Sequence, residues 1–431
     1  MKRRIVITGM GAITPLGTTL QATWDGVVNG RSGIGPITLF DASGMPVRIA
    51  GEVKGYTGDA SAIPEDMRAL PGRSALFCMS AAHEALQDAG FDMGRENPLR
   101  VGISLGADEE TQLFHAISSL YDAPRVLRAL AGGMPLFVEC LEHSPLSGQR
   151  WSFKRKADIA TKLLAIACGI EGPADTSHTA CSSSGHAIGK AKRMIENDDC
   201  DAVIAGGHCA MISEFAAAGF HLLGTLSTHN DEPQRASRPF DLDRDGFIIG
   251  EGAGILVLEE LNHALRRGAR IYAELAGYGS SSNSYRLTDT PPDGKGGDTA
   301  MQRALADAGL DATGVDYINA HGTATLLNDR SETLAIKHVF GHRAHNIPVS
   351  SSKSMIGHLV CASSAAELII TVMAVKENII PPTINLEHPD PLCDLDYVPN
   401  MARRQELGAA LSNSFAFGGQ NASLVVAKFK G

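Results

Sequence analysis

Two stretches of the sequence share one layout: an extended run, a loop of small residues, a buried helix and a second extended run. In the first, a Gly172-Pro173 turn leads into HTACSSSG. A helical stretch with Ile188, Ala191 and Ile195 on one face follows, and then DAVIAGG. In the second, a strand around 347–350 leads into SSKSMIGHLV, then a helix rich in Leu368, Ile369, Val372 and Met373, then a strand in IIPPTINL. Two such units predict a duplicated α/β fold with its chemistry between the halves. The join falls in LNHALRRGA, which divides the chain into 1–265 and 266–431. No Pro/Ser-rich linker marks it, so the halves are expected to pack as one unit.

The chain has 431 residues, 44% of them hydrophobic, with 46 glycines, a composition that lets helices sit close on a sheet. RIVIT reads as a first β-strand running into Gly9, Gly11 and Gly17; the third glycine of the dinucleotide-binding fingerprint is missing. Lys2, Arg3 and Arg4 ahead of apolar residues resemble a secretion signal. Gly9, Gly11 and Pro15 interrupt that run and no cleavage site follows, so the protein is expected in the cytoplasm. The longest apolar run, around 369–375, is far too short to span a membrane. Eight cysteines form no CxxC pair, which argues against a disulfide framework and against zinc. A formal net charge of −10 argues against nucleic acid as a partner. The least regular stretch, about 108–155, is expected to hold short helices that shape a pocket or a partner surface.

Cys181 stands in TACSSSG, just before a helix. The positive end of the helix dipole and unpaired backbone N–H groups there favour a thiolate, and the residue's own N–H can form half of an oxyanion hole. Taken alone, such a cysteine is more often a small buried hydrophobe. His321, in NAHGTAT, follows the strand-like VDYINA, and His358, in KSMIGHLV, lies five residues after Lys353. A lone histidine beside glycine is usually structural. Two of them in small-residue loops at strand ends, with a cysteine in a third, form a constellation that reads as catalytic rather than structural.

The motifs RIVITGMGAITPLG, TACSSSG, SRPFDLDRDGFIIGEGAGILVLEEL, NAHGTAT, NDRSE, SSKSMIGHL, IPPTINL and SNSFAFGGQNASLV, in this order along the whole chain, resemble the β-ketoacyl-acyl-carrier-protein synthases of the type II elongating class. That family includes the polyketide ketosynthases. The resemblance implies a thiolase-like duplicated α/β/α/β/α sandwich and a homodimer, or a heterodimer with a related subunit. It implies that Cys181 takes the acyl chain from a donor thioester. His321 and His358 would stabilise the enolate formed as a malonyl group loses CO2, the step at which charge grows on the carbonyl oxygen. Lys353 and Glu367 match the supporting charged pair, and Thr323 and Thr325 the hydroxyls that hold the pantetheine arm. Phe417, in FAFGG, matches the gating aromatic whose N–H completes the oxyanion hole. No metal or organic cofactor is implied; the phosphopantetheine belongs to the acyl carrier protein partner. The runner-up readings are a non-condensing, chain-length-factor-like subunit and a Cys-His acyl hydrolase or transferase. The first would lack the cysteine, and the second leaves the second histidine and the lysine unexplained.

Departures from the family pattern bear on substrate. Asp108, Glu109 and Glu110 stand where an apolar, Gly-rich stretch borders the acyl tunnel, so they either face water or line a pocket for a polar, unsaturated or short acyl chain; Cys361 and Ser364 stand where glycines are common. Ala416 replaces a frequent glycine beside Phe417, and His178 has no role in the motif. These changes point to a specialised polyketide or polyene pathway rather than housekeeping elongation. An acidic carrier needs a basic dock, and Lys154, Arg155 and Lys156 form the densest cationic cluster, with Arg68 and Arg73 as additions. Any such run is more often a solvated face.

Overall fold

The computed structural model describes residues 3–58, 61, 63–68, 71–107 and 157–431. Ten strands form its main sheet: β1 (Ile5–Ile13), β2 (Val101–Gly106), β3 (Ala174–Ser177), β4 (Ala202–Cys209), β5 (Gly252–Glu260), β6 (Ala273–Ser282), β7 (Tyr317–Asn319), β8 (Val349–Ser350), β9 (Ala409–Phe415) and β10 (Gln420–Ala427). Their order is β8-β7-β9-β10-β6-β1-β5-β4-β2-β3. Numbered within its own half, each set of five runs 3-2-4-5-1. In both halves the first three of these neighbouring strands pair in parallel and the remaining pairings are antiparallel. Among the described residues, the halves pair edge to edge where Val6 and Ile7 meet Glu274 and Ala273. The duplicated α/β sandwich expected from the repeated layout is therefore present as a repeated strand order.

Helix α1 (Arg73–Ala89) packs on the outer face of β1, β4 and β5, and α3 (Gly297–Ala308) on that of β6 and β10. Between the halves lie α2 (Ser183–Glu196) and α5 (Ser363–Glu377), which touch one another and strands of both halves. Helix α4 (Leu326–Phe340) lies against α3. Every residue of α5 from Ser363 to Val375 is buried, as an inner layer with no solvent face requires. A core cluster made of α2, α5 and strands of both halves joins the units into one body.

Two expectations change. β1 does not stop at its glycines but runs through Gly9 and Gly11, where a Cβ would collide with the backbone of α1 at Ala85 and Ala81. The strand expected in IIPPTINL shrinks to Ile379–Ile380, outside the main sheet and paired with Arg403–Arg404. Pro381 and Pro382 carry no N–H to continue a ladder.

Candidate active site

Cys181 lies on a 3-10 turn, Ala180–Ser182, that runs directly into α2. Ala180 is held at φ 48, a left-handed conformation costly for any residue but glycine, so the turn is a sharp elbow that lifts the cysteine from the helix end. The other half repeats the device: Val360 at φ 45 begins the turn Val360–Ala362, which runs into α5. The Cys181 thiol faces the backbone N–H groups of Phe417 and of Cys181 itself. Burial pushes the thiol up to about 12, against the opposing pull of Lys353 and the two N–H groups. Burial thus works against the thiolate expected from the helix end, while the two N–H groups and Lys353 work for it.

His321 follows β7, and its N–H and that of Gly322 donate to the two carboxylate oxygens of Glu332 at 2.9 and 2.8 Å. His358 follows the single helical turn Lys353–Ile356 and is gripped through its backbone. Its N–H donates to Ile248 O at 2.7 Å and its carbonyl accepts from Gly250 N at 2.8 Å. Its ring stands edge-on to His321 and to Phe247, with centroids 5.4 and 5.3 Å away. The Ser363 hydroxyl meets its Nδ1 at 2.8 Å. The thiol and one ring nitrogen from each histidine lie within 4.8 Å of one another. Burial, reinforced by the Lys353 charge, holds both histidines well below the ordinary imidazole range, so both are neutral and each has one N–H to donate. Lys353 is itself paired with Glu367 at 2.5 Å, both side chains sealed from solvent. Burial pushes Glu367 up to about 7, and Lys353 opposes it.

A cavity of about 300 Å³ opens on this cluster; Thr323, Thr325 and Phe417 line it with the cysteine and both histidines. The Thr323 and Thr325 hydroxyls stand 3.0 Å apart, and Thr325 also caps α4. Two N–H donors around a thiol and two neutral imidazoles beside it can hold oxyanions formed at two different carbonyls.

Residues 2–264 match the Beta-ketoacyl synthase N-terminal domain and residues 272–387 the Beta-ketoacyl synthase C-terminal domain. The chain belongs to the beta-ketoacyl synthase family. It is 44% identical over 430 residues to the 3-oxoacyl-[acyl-carrier-protein] synthase 2 of Synechocystis, covering 100% of this chain and 99% of that one. Among solved structures, the ishigamide ketosynthase/chain length factor superposes with a TM-score of 0.85 at 34% identity, over 100% of both chains. The type II polyketide synthase ketosynthase AntDE, solved with its acyl-carrier protein AntF and bound to the hexaketide, gives 0.83 at 32%, again over 100% of both. The fold is the thiolase-like one of these ketosynthases.

Other residues singled out in this beta-ketoacyl synthase fall elsewhere. Arg73 leaves the docking set: its guanidinium bonds the buried Glu251 at 2.6 and 2.9 Å and the Val53 carbonyl at 2.9 Å, so its charge is satisfied inside the fold. Arg68 is exposed, with Nε donating to Ile63 O. Lys154, Arg155 and Lys156, like Asp108, Glu109 and Glu110, lie outside the described residues. His178 is exposed, and Ser364 bonds Ser414 at 2.7 Å and the Cys181 carbonyl at 3.3 Å. The cysteine and the two histidines are also a set that could ligate a soft metal, but Lys353 beside them opposes a cation. Asp241, Asp243 and His388 form the only other such group among the described residues.

Two residues of the site carried no role in the sequence reading. Glu332 anchors the His321 loop from inside NDRSE; a carboxylate on an otherwise buried helix face was the available signal. Ser363 sits in a run of small residues that reads only as a helix start.

Proposed function

We propose that this chain is a 3-oxoacyl-[acyl-carrier-protein] synthase: it condenses an acyl group held on Cys181 with malonyl-acyl carrier protein, with loss of CO2. The observation that carries this reading is the thiol that faces two backbone N–H groups and lies within 4.8 Å of two histidine nitrogens. Cys181 attacks the donor thioester, the S–acyl bond forms, and the carrier's pantetheine thiol leaves with the proton that Cys181 gives up. The malonyl thioester then binds along Thr323 and Thr325. Its carboxylate leaves as CO2, and the electron pair becomes an enolate whose oxygen accepts N–H bonds from His321 and His358. The enolate carbon attacks the acyl carbonyl, and the N–H groups of Cys181 and Phe417 hold the resulting oxyanion. Collapse expels the Cys181 sulfur as a thiolate, which takes up a proton from solvent, and leaves the 3-oxoacyl chain on the carrier. Lys353 and Glu367 hold the charge balance behind the histidines.

In this reading 1–265 and 266–431 are the two halves of the fold, and the enzyme works as a dimer of itself or with a related subunit. It needs no cofactor of its own, because the carrier brings the phosphopantetheine. Among the described residues no helix is long and apolar enough to cross a membrane, and we assign the enzyme to the cytoplasm. The acyl chain it prefers separates fatty-acid from polyketide extension.

The test is intact-mass analysis after incubation with a panel of acyl-carrier-protein thioesters, with Cys181→Ala as control. An acyl adduct absent from the variant is expected, and the preferred chain identifies the substrate class. No adduct with any donor would overturn the reading in favour of a non-condensing partner subunit; release of free acid without an adduct would favour a hydrolase.

A further inference from the structure

A neutral imidazole has one N–H and one bare nitrogen, so a histidine that must donate toward an enolate works in only one of its two tautomers. The backbone of His358 is fixed by Ile248 and Gly250, and its ring plane by edge contacts with His321 and Phe247. None of those contacts chooses which nitrogen carries the proton. Among the described residues, the Ser363 hydroxyl is the one group that bonds a ring nitrogen of His358, at 2.8 Å from Nδ1, while Nε2 is buried without a partner.

The duplicated fold supplies an internal control. Ser183 is the first residue of α2, after the turn Ala180–Ser182; Ser363 is the first residue of α5, after the turn Val360–Ala362. Ser183 donates its hydroxyl back to the Ala180 carbonyl at 2.7 Å and accepts the Thr179 N–H at 2.9 Å, a local bond that closes the turn. Ser363 has the equivalent place and makes no such bond; its hydroxyl, 1% exposed with the rest of the residue, goes to His358. A serine at this position therefore does not reach a histidine by default.

We propose that Ser363 is a positioning residue for condensation: its hydroxyl donates to Nδ1 of His358 and so keeps the proton on Nε2, where it can be given in a hydrogen bond to the malonyl-derived enolate. The inference rests on the condensing role proposed for His358. In the other tautomer a lone pair on Nε2 would face the growing negative charge. The acylation half-reaction at Cys181 uses the backbone N–H pair and does not call on Ser363.

The experiment combines 15N NMR of histidine-labelled protein with kinetics of wild type, Ser363→Ala and Ser363→Thr. In wild type, the His358 signals, assigned by their loss in His358→Asn, are expected to show protonated Nε2 and bare Nδ1. Ser363→Ala should give a mixture of tautomers and a kcat for condensation lower by about tenfold, the order that one hydrogen bond is worth. Its KM for malonyl-acyl carrier protein and its rate of Cys181 acylation should stay unchanged, and Ser363→Thr should restore both tautomer and kcat. The proposal fails if wild-type His358 carries its proton on Nδ1. It fails equally if Ser363→Ala leaves tautomer or kcat unaltered, or slows acylation as much as condensation. If Ser363→Ala does not fold, the wild-type spectrum and the Thr variant decide. A wild type that shows the Nε2 proton yet condenses nothing would overturn the proposed function and leave the tautomer assignment standing.

Discussion

Lys353 Nζ stands 2.5 Å from Glu367 Oε1, with the two side chains 1% and 0% exposed, directly behind the histidine cluster. A buried pair of this kind costs more to break than it gains over an apolar replacement, since removing one partner strands the other's charge in the interior. Lys353→Ala alone is expected to lose about 3 kcal/mol or more of unfolding free energy. The double variant Lys353→Met/Glu367→Leu should recover most of it. Acylation of Cys181 should remain slow in both, because Lys353 is the charge that opposes burial at the thiol. Urea unfolding of the three proteins checks this, and a double variant as unstable as the single one would show that the pair is a net stabiliser.

Burial sets the Cys181 thiol at about 12 despite its place at a helix start. Below that value the thiolate fraction rises tenfold for each pH unit. The rate of alkylation by iodoacetamide in the substrate-free enzyme is therefore expected to climb from pH 6.5 to 9 with a log-log slope near one. A plateau below pH 8 would mean that the helix terminus and the two N–H groups overcome the loss of solvent.

His321 and His358 are held well below their ordinary range by burial, with Lys353 adding to it, so the folded protein keeps them neutral where an unfolded chain would protonate them. Below about pH 6.5 the unfolded state binds more protons, and the stability these residues permit at neutral pH is lost as the solution is acidified. Glu332 and Glu367 run the other way: burial raises both to about 7, so their contribution is full below about pH 4.5 and is lost as pH rises through 7. Removing one histidine should expose its share. The urea midpoint of His358→Asn relative to wild type is expected to rise as pH falls from 7.5 to 5.5. A constant difference would mean that His358 titrates alike in both states.

Much of this site is legible in the sequence because its parts are local. Cys181, His321 and His358 each sit in a short loop of small residues ahead of a periodic apolar helix, and the strand-loop-helix layout repeats. What is not legible depends on partners far along the chain. Arg73 has the composition of a docking cation, and only the fold reveals Glu251 beneath it, 178 residues away. Ser363 and Ser183 are alike as letters at the start of a helix, each five residues after a histidine, and their hydroxyls diverge: Ser363 reaches the ring of His358, whereas Ser183 closes its own turn on Ala180 and Thr179. The thiol is a related case: the helix end is visible in the pattern, whereas the depth of burial that opposes a thiolate belongs to the packed layers.

Gly418 and Gly419 offer a controlled comparison at the loop that carries the Phe417 N–H. Both have positive φ, 78 and 77, so alanine at either costs about 1–2 kcal/mol of backbone strain. Their surroundings differ. A Cβ on Gly418 meets nothing within 4 Å, whereas one on Gly419 collides with the Asn283 side chain. The loop is fastened at this point: Asn283 N–H donates to Gly419 O at 3.0 Å, and Gly418 N–H donates to Leu287 O at 2.6 Å. Displacing Asn283 is therefore expected to shift the Phe417 N–H, the proposed oxyanion donor, as well as the fastening, and a misplacement of about 1 Å at a reacting centre can cost up to about a hundredfold. Gly418→Ala is expected to lower stability while acylating Cys181 at close to the wild-type rate. Gly419→Ala, with the same φ to satisfy, should acylate at least about tenfold more slowly. Single-turnover acylation followed by intact mass reads the difference directly, and equal rates in the two variants would mean that the position of Asn283 has no bearing on where the Phe417 N–H points.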